Sequence, residues 1–295
     1  MKDNKLLQKV IMKKFLLFFR EVRIELTVFA LPFAFLSLIL VEDGLPKLET
    51  FIWITMAMIG IRNFGMGINR VIDYTIDTKN PRTSNRALVT GSIRKWEMTI
   101  FLLLMAIIFI FGVYNLSFWA KLLSPVALLL VIAYPYAKRV TWGSHLVLGI
   151  VYGSVPNGVY IATTNQISLE SILLGLGAGF WSAGFDVIYS TADIEIDRSQ
   201  GLYSIPAKFG IAKALLIAKF FHSLTIVFLT IAGRVLGSGI IYYIGVLTFL
   251  ILLFVEHRMV SPDNLSRINT AFFNMNGLIS ILFFVSVCFD TFYNG

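Results

Sequence analysis

Charge is what this chain has least of. Only 14% of its 295 residues are Asp, Glu, Lys or Arg, and 57% are hydrophobic, whereas soluble domains carry about a quarter charged residues. With a mean hydropathy of +0.78, a soluble globular domain is excluded and the bilayer is the expected solvent. Cysteine is nearly absent too. Cys288 stands alone, which excludes an intramolecular disulfide and leaves its thiol as a small buried hydrophobe. Histidine is scarce, and His145, His222 and His257 show no metal-ligand spacing, so each reads as a packing or interfacial residue. No soluble domain or long flexible linker interrupts the chain.

What is present is a series of apolar stretches of spanning length: residues 24–41, 51–76, 98–115, 118–136, 145–163, 170–190, 212–232, 239–256 and 270–290. The expected fold is all-α, a polytopic membrane protein of nine transmembrane helices around a central cavity, formed as one domain over residues 24–295. Ahead of it, residues 1–23 place Leu6, Leu7, Val10, Ile11, Phe15, Phe18 and Phe19 at helical spacing between lysines, the pattern of an interfacial amphipathic helix. A signal peptide fits less well: the apolar core "FLLFF" is short and no small-residue cleavage site follows. The basic residues sort by side. Lys47, Lys121 and Arg234 alone occupy the connections after spans 1, 3, 5 and 7; Arg62, Arg70 and Lys219 lie within spans, and all other Lys and Arg fall on the opposite side. The positive-inside rule then puts the N-terminus in the cytoplasm and the C-terminus outside, in a cell (inner) membrane. The net charge of +8 follows from topology, and nucleic acid is not needed to explain it.

Two long connections on that cytoplasmic side each follow an acidic cluster, and long connections tend to carry function. The first is "NRVIDYTIDTKNPRTSNRAL" at residues 69–88; the second is "DVIYSTADIEIDRSQGLYSIPAKFG" at residues 186–210. On a continuous helix Arg62, Asn69, Asp73 and Asp77 fall within an arc of about 80°, and Asp186, Tyr189, Asp193 and Asp197 do the same. Lipid does not tolerate such stripes, so both are expected to face inward and toward each other. Gly60, Gly65 and Gly67 on span 2, with Gly175, Gly179 and Gly184 on span 6, suit close helix packing.

Carboxylates crowded on facing helices repel one another unless cations intervene. A hard divalent ion answers that need, and Mg²⁺ favours a few carboxylate oxygens shared with water and substrate phosphate. The basic residues that follow, among them Arg82, Arg86, Lys138 and Arg139, supply the other half of a diphosphate site. Arg82 and Arg86 stand just beyond the acids and are favoured over Arg94 or Lys95, which any basic cytoplasmic loop would contain.

These stretches, together with "YPYAKR" at residues 134–139 and the nine-span layout, resemble the UbiA-type intramembrane aromatic prenyltransferases. The similarity covers nearly the whole chain. It implies that Asn69, Asp73 and Asp77 form one Asn/Asp motif and Asp193 with Asp197 a second, holding two Mg²⁺ ions against the diphosphate. It implies that Arg82, Arg86, Lys138 and Arg139 grip that diphosphate. Tyr189 would touch the leaving oxygen, Asp186 with Asn69 would sit near the ionising carbon, and Arg62 would receive the carboxylate of an aromatic acid. Glu195 stands between the second pair of acids where many members space their aspartates differently, so no ligand role is carried to it. "RIELTVFALPF", residues 23–33, points to the quinone-synthesis branch and especially to its menaquinone-type members. The implied activity is Mg²⁺-dependent transfer of a polyprenyl group from an allylic diphosphate to 4-hydroxybenzoate or a dihydroxynaphthoate, in ubiquinone or menaquinone synthesis. The implied partners are the polyprenyl diphosphate, the aromatic acid and the lipid bilayer, and the active site would face the cytoplasm.

The residues agree on mechanism. An allylic diphosphate ionises when its leaving group is neutralised, an electron-rich ring captures the cation in a water-poor chamber, and Asp186 or Asp193 takes the ring proton. Arg62 lies about 10 Å deeper than Asn69 along the helix, where it either pairs with an internal acid such as Glu25 or binds a substrate carboxylate. Arg62 favours a carboxylated ring, 4-hydroxybenzoate or a dihydroxynaphthoate, over the other acceptors of the same family: a haem, a chlorophyllide or a lipid. In a different class, a secondary transporter also carries intramembrane charges, but its site lies near the midplane on broken helices, whereas these acids gather at helix ends.

Overall fold

The computed structural model describes residues 12, 14 and 16–294. Most of the expected interfacial helix, residues 1–11, 13 and 15, and the side chain of Glu25 lie outside the described residues. Residues 16–21 are helical, and Phe18 stacks on Phe101 at 5.2 Å between ring centroids.

Among the described residues nine apolar helices follow: α1 (Thr27–Glu42), α2 (Leu48–Ile72), α3 (Lys95–Tyr114), α4 (Phe118–Ala137), α5 (Ser144–Thr164), α6 (Leu169–Ser190), α7 (Ile211–Leu236), α8 (Ile240–Met259) and α9 (Asn276–Asn294). Eight of the described helices are long and apolar enough to cross a membrane, α6 and α9 with the short helical turns beside them, and the first is a shorter apolar helix, Phe29–Glu42. The chain is a multi-pass membrane protein, and a bilayer explains the all-helical choice. Only a helix satisfies its own backbone groups within one segment, so even Pro32, Pro125, Pro135 and Pro156 are accommodated inside helices.

Each helix packs on its successor, and α9 returns to α1, so the nine close into a ring. α1 also touches α5 and α6 across the middle. The two halves of the ring differ. On one side, Phe33, Trp181, Phe185, Tyr242, Phe249 and Phe283, drawn from α1, α6, α7's neighbour α8 and α9, interlock as a fully buried aromatic core, with Phe33 stacked on Trp181 at 5.1 Å. On the other side, α1 to α5 enclose a cavity of about 260 Å³. It runs from Arg62, Asn69 and Tyr134 near one end to Leu116, Ala120 and Ala162 at the other.

Glycine allows the closest approaches, but between other pairs than the sequence suggested. A Cβ on Gly60 would lie 2.5 Å from the backbone nitrogen of Phe109 on α3, and one on Gly175 would lie 2.5 Å from the Gly153 carbonyl oxygen on α5. The tight seams are therefore α2 with α3 and α5 with α6. α2 and α6 do not pack on each other as facing helices. The cavity and α5 stand between them, and their acidic ends meet through the loops.

Candidate active site

The acidic stripes are not continuous helices. α2 stops at Ile72, Asp73 takes φ −88° and ψ 7°, and Tyr74–Asp77 forms a separate single turn. α6 likewise stops at Ser190, passes through the 3₁₀ turn Thr191–Asp193, and restarts as Ile194–Ser199. The breaks put Asp77 and Asp197 on short helical pieces of their own, beyond the ends of α2 and α6.

The loop after α2 reaches across to the end of α6. Arg82 forms an ion pair with Asp193 through two guanidinium nitrogens, and its third donates to the Tyr189 hydroxyl. Asn80 Nδ2 donates to Asp193 Oδ1 at 3.0 Å, while Asn80 Oδ1 accepts from the Arg82 N–H at 2.9 Å and so shapes the turn that delivers Arg82. Gln200 Nε2 donates to the Ile76 carbonyl at 3.5 Å. Burial works against the charge on Arg82, but Asp193 and Tyr189 outweigh it and raise the guanidinium pKa above its ordinary value.

The other acids have their own partners. Asp73 is held by Lys138 and by Arg139, whose Nη2 stands 3.1 Å from Asp73 Oδ1. Arg139 also donates to the Ile72 and Pro135 carbonyls at 2.9 Å, tying the end of α4 to the end of α2. Asp77 pairs with Arg86, and Asp197 accepts from Ser204 Oγ at 2.7 Å. The sequence suggested carboxylates crowded against one another; the structure pairs each with its own donor, and among the described residues no three His, Cys, Asp or Glu converge to hold a metal ion. The donor set still suits a hard cation. It is all oxygen, and among the described residues the buried Asn69 Oδ1 has no hydrogen-bond donor while Asp73 Oδ1 has only the ion pair with Arg139.

Arg62 bends toward the chain ahead of α1. Its Nη1 donates to the Val22 carbonyl at 2.7 Å and to Asn63 Oδ1 at 3.2 Å, and its Nη2 donates to the Arg23 carbonyl. It lines the apolar cavity together with Asn69, Tyr134 and Tyr152. A second, polar cleft of about 660 Å³ adjoins Arg82 and Arg86 and is lined also by Arg20, Arg23 and Arg70, with Glu21 as its one acid. Such an excess of guanidinium groups favours an anion.

Asp186, near the end of α6, accepts from His145 Nδ1 at 2.7 Å. His145 is thus more than the packing residue its sequence context suggested. Asn80, Ser204 and Gln200 join the site through contacts that residue spacing does not disclose. Ser204 had a local signal, since a Ser two places before Pro206 marks a helix start, and its Oγ indeed caps Ile205–Phe209. The remaining histidines pair with each other, His222 Nδ1 to His257 Nε2 at 2.9 Å.

With this geometry in view, comparison with known proteins decides the family. The model of the UbiA prenyltransferase family matches residues 30–278. The chain belongs to the UbiA prenyltransferase family. It is accordingly an enzyme, a prenyltransferase. It is similar to a 4-hydroxybenzoate octaprenyltransferase of Aliivibrio fischeri (strain MJ11), 28% identical over 258 residues, covering 86% of this chain and 90% of that one. Among solved structures it resembles the apo structure of a UbiA homolog from Aeropyrum pernix K1, with a TM-score of 0.82 and 33% identity over 90% of this chain and 97% of the other. A UbiA homolog from Archaeoglobus fulgidus bound to DMAPP and Mg²⁺ shares the fold, with a TM-score of 0.73 and 18% identity over 92% of this chain and 97% of the other.

Proposed function

We propose that this prenyltransferase moves a polyprenyl group from an allylic diphosphate to the ring of an aromatic carboxylic acid. The observation that carries this reading is the position of Arg62 and Asn69, polar side chains on the wall of a largely apolar cavity that begins beside the acid and arginine cluster. A diphosphate fits the cluster and a hydrocarbon tail fits the cavity. The acid named for the Aliivibrio relative, 4-hydroxybenzoate, fits Arg62, as does a dihydroxynaphthoate. The reading that points to menaquinone rests on residues 23–33 alone.

Mg²⁺ is the cofactor this reading requires, as in the Archaeoglobus neighbour. Asp73, Asp77, Asp193 and Asp197 would hold it, with the unpartnered Asn69 Oδ1 beside them. When bound, it neutralises the leaving pyrophosphate. The chain's own residues do the rest. Arg82, Arg86, Lys138 and Arg139 exchange their carboxylate partners for phosphate oxygens, which Arg grips in bidentate fashion. Tyr189, held by Arg82, places its hydroxyl at the leaving oxygen. Arg62 orients the acceptor's carboxylate so that the ring meets the allylic carbon, and the apolar wall excludes water that would quench the cation. Asp193 is committed to Arg82 and Asn80, whereas Asp186 has only His145 among its described partners. Asp186 is therefore the acceptor of the ring proton. The positive-inside distribution puts this end, and the N-terminus, in the cytoplasm.

The test is a matrix of acceptors (4-hydroxybenzoate, 1,4-dihydroxy-2-naphthoate, a neutral phenol) against diphosphates of several chain lengths, in membranes with Mg²⁺. The reading expects transfer to at least one carboxylated ring and little to the phenol. Equal use of the uncharged acceptor would remove the role given to Arg62.

A further inference from the structure

His145 sits in the first turn of α5, almost fully buried, and joins Asp186 near the end of α6 to Ile205 beyond it, 41 and 60 residues further along the chain. Its Nε2 lies 3.3 Å from the Ile205 N–H, just after the second acidic motif, and its Nδ1 lies 2.7 Å from Asp186 Oδ2. A backbone N–H can only donate, so Nε2 must present its lone pair. The ring proton is then on Nδ1, which donates to Asp186. This leaves Asp186 Oδ1 with no hydrogen-bond partner among the described residues. Phe185, the residue before Asp186, meets Tyr152 of the cavity wall edge to face at 5.8 Å between ring centroids, so Asp186 stands close behind that wall.

We propose that His145 is a positioning residue: anchored by the Ile205 amide, it holds one carboxylate oxygen of Asp186 so that the other faces the acceptor ring as proton acceptor. The proposal rests on the aromatic-acceptor reading above. In the step concerned, the allylic C–O bond has broken, with its electron pair leaving on pyrophosphate, and a ring carbon has bonded to the allylic carbon. The C–H bond at that ring carbon then gives its electrons back to the ring and its proton to Asp186 Oδ1, which releases it to water. Outer hydrogen bonds of this kind, fixing the tautomer and direction of an imidazole–carboxylate pair, are worth about 10- to 100-fold in function. The same bridge couples the proton acceptor to the loop that carries Asp193 and Asp197, so the two halves of the site are set by one side chain.

Full-length protein in membranes, assayed with whichever carboxylated ring it accepts, tests this through H145A, H145Q, H145N and D186N. The Asn amide can place its N–H where Nδ1 stands, whereas Gln reaches only toward Nε2 and leaves Asp186 without a donor. The expectation is a fall in kcat of about 10- to 100-fold for H145A and H145Q, with KM for both substrates unchanged. H145N should recover most of the loss. An acceptor deuterated at the attacked carbon should show a primary isotope effect in H145Q larger than in the unaltered enzyme, because proton removal becomes the slow step. Loss of kcat without that isotope effect, or equal impairment of H145N and H145Q with a lowered unfolding temperature, would mean His145 merely packs. Normal turnover by H145A while D186N is inactive would overturn the proposal alone. Normal turnover by D186N would overturn the role of Asp186 as well.

Discussion

Two polar clusters occupy this bundle, and they are built on opposite rules. At the acid-bearing end, Asp73 and Asp193 are each matched to a Lys or Arg on another segment and Asp77 to Arg86 in its own loop, next to a cleft rich in arginine. Within the packed half, Trp181 Nε1 donates to Asn276 Oδ1 at 2.7 Å and Asn276 Nδ2 donates to Glu256 Oε1 at 2.8 Å, with His222 and His257 alongside and every one of Trp181, His222, Glu256 and Asn276 buried. No Lys or Arg pairs with Glu256 among the described residues. Exchangeable ion pairs beside a cleft can be traded for a charged ligand. A sealed chain of hydrogen bonds between α6, α8 and α9 has nothing to trade and serves to fix how those helices meet.

If that contrast holds, substitutions in the first cluster change turnover and those in the second change stability. The largest effect is expected from Asp73→Ala and Asp193→Ala, each lowering kcat by about 10³-fold or more. The unfolding temperature of Asp193→Ala should stay close to the unaltered value, since its partly exposed ion pair contributes about 0–1 kcal/mol; Asp73 is buried, so its variant is compared as kcat per folded molecule. Asn276→Ala should do the reverse. It strands Trp181 Nε1 and Glu256 Oε1 in the interior, a cost of about 1–3 kcal/mol for each stranded group. Thermal unfolding in detergent should reveal it, while specific activity per folded molecule stays within a few-fold. Arg62→Ala sharpens the comparison within the site, because it should raise the acceptor's KM by about 10²-fold and leave that of the diphosphate unchanged. The smallest effect is expected from Glu256→Gln, which keeps the shape and the oxygen that Asn276 uses; steady-state rates and unfolding should shift by less than about 1 kcal/mol. A lost turnover in this variant would merge the two clusters into one functional unit.

The contrast also marks what the residues disclose without coordinates. The apolar stretches are set by the bilayer's thickness, so each span was legible, with its ends within a few residues of α1 to α9. The acidic positions were legible because charge at a span's end has few structural uses. The helix breaks at Asp73 and after Ser190 were not, since neither carries a Gly or Pro stop signal and an apolar period runs through both. The supposed facing of α2 and α6 failed for a related reason. Periodicity tells which side of a helix turns inward but not which neighbour it meets, and the ring places α5 and a cavity between them. Partners such as Asn80 for Asp193, or His145 for Asp186, are tertiary and leave no trace in spacing. Arg62, Asn69 and Asp73 fall on one arc of the helical repeat, yet only the fold shows that the Oδ1 of Asn69 ends without a donor among the described residues.

The most direct test of the central claim, that paired charges at the acid-bearing end are traded for a diphosphate and its cation, is equilibrium binding of a prenyl diphosphate to the purified full-length protein as Mg²⁺ is titrated. The account predicts binding that requires Mg²⁺, disappears with a chelator, and is lost in both Asp73→Asn and Asp193→Asn. Undiminished binding without the ion, or in those two variants, would contradict it.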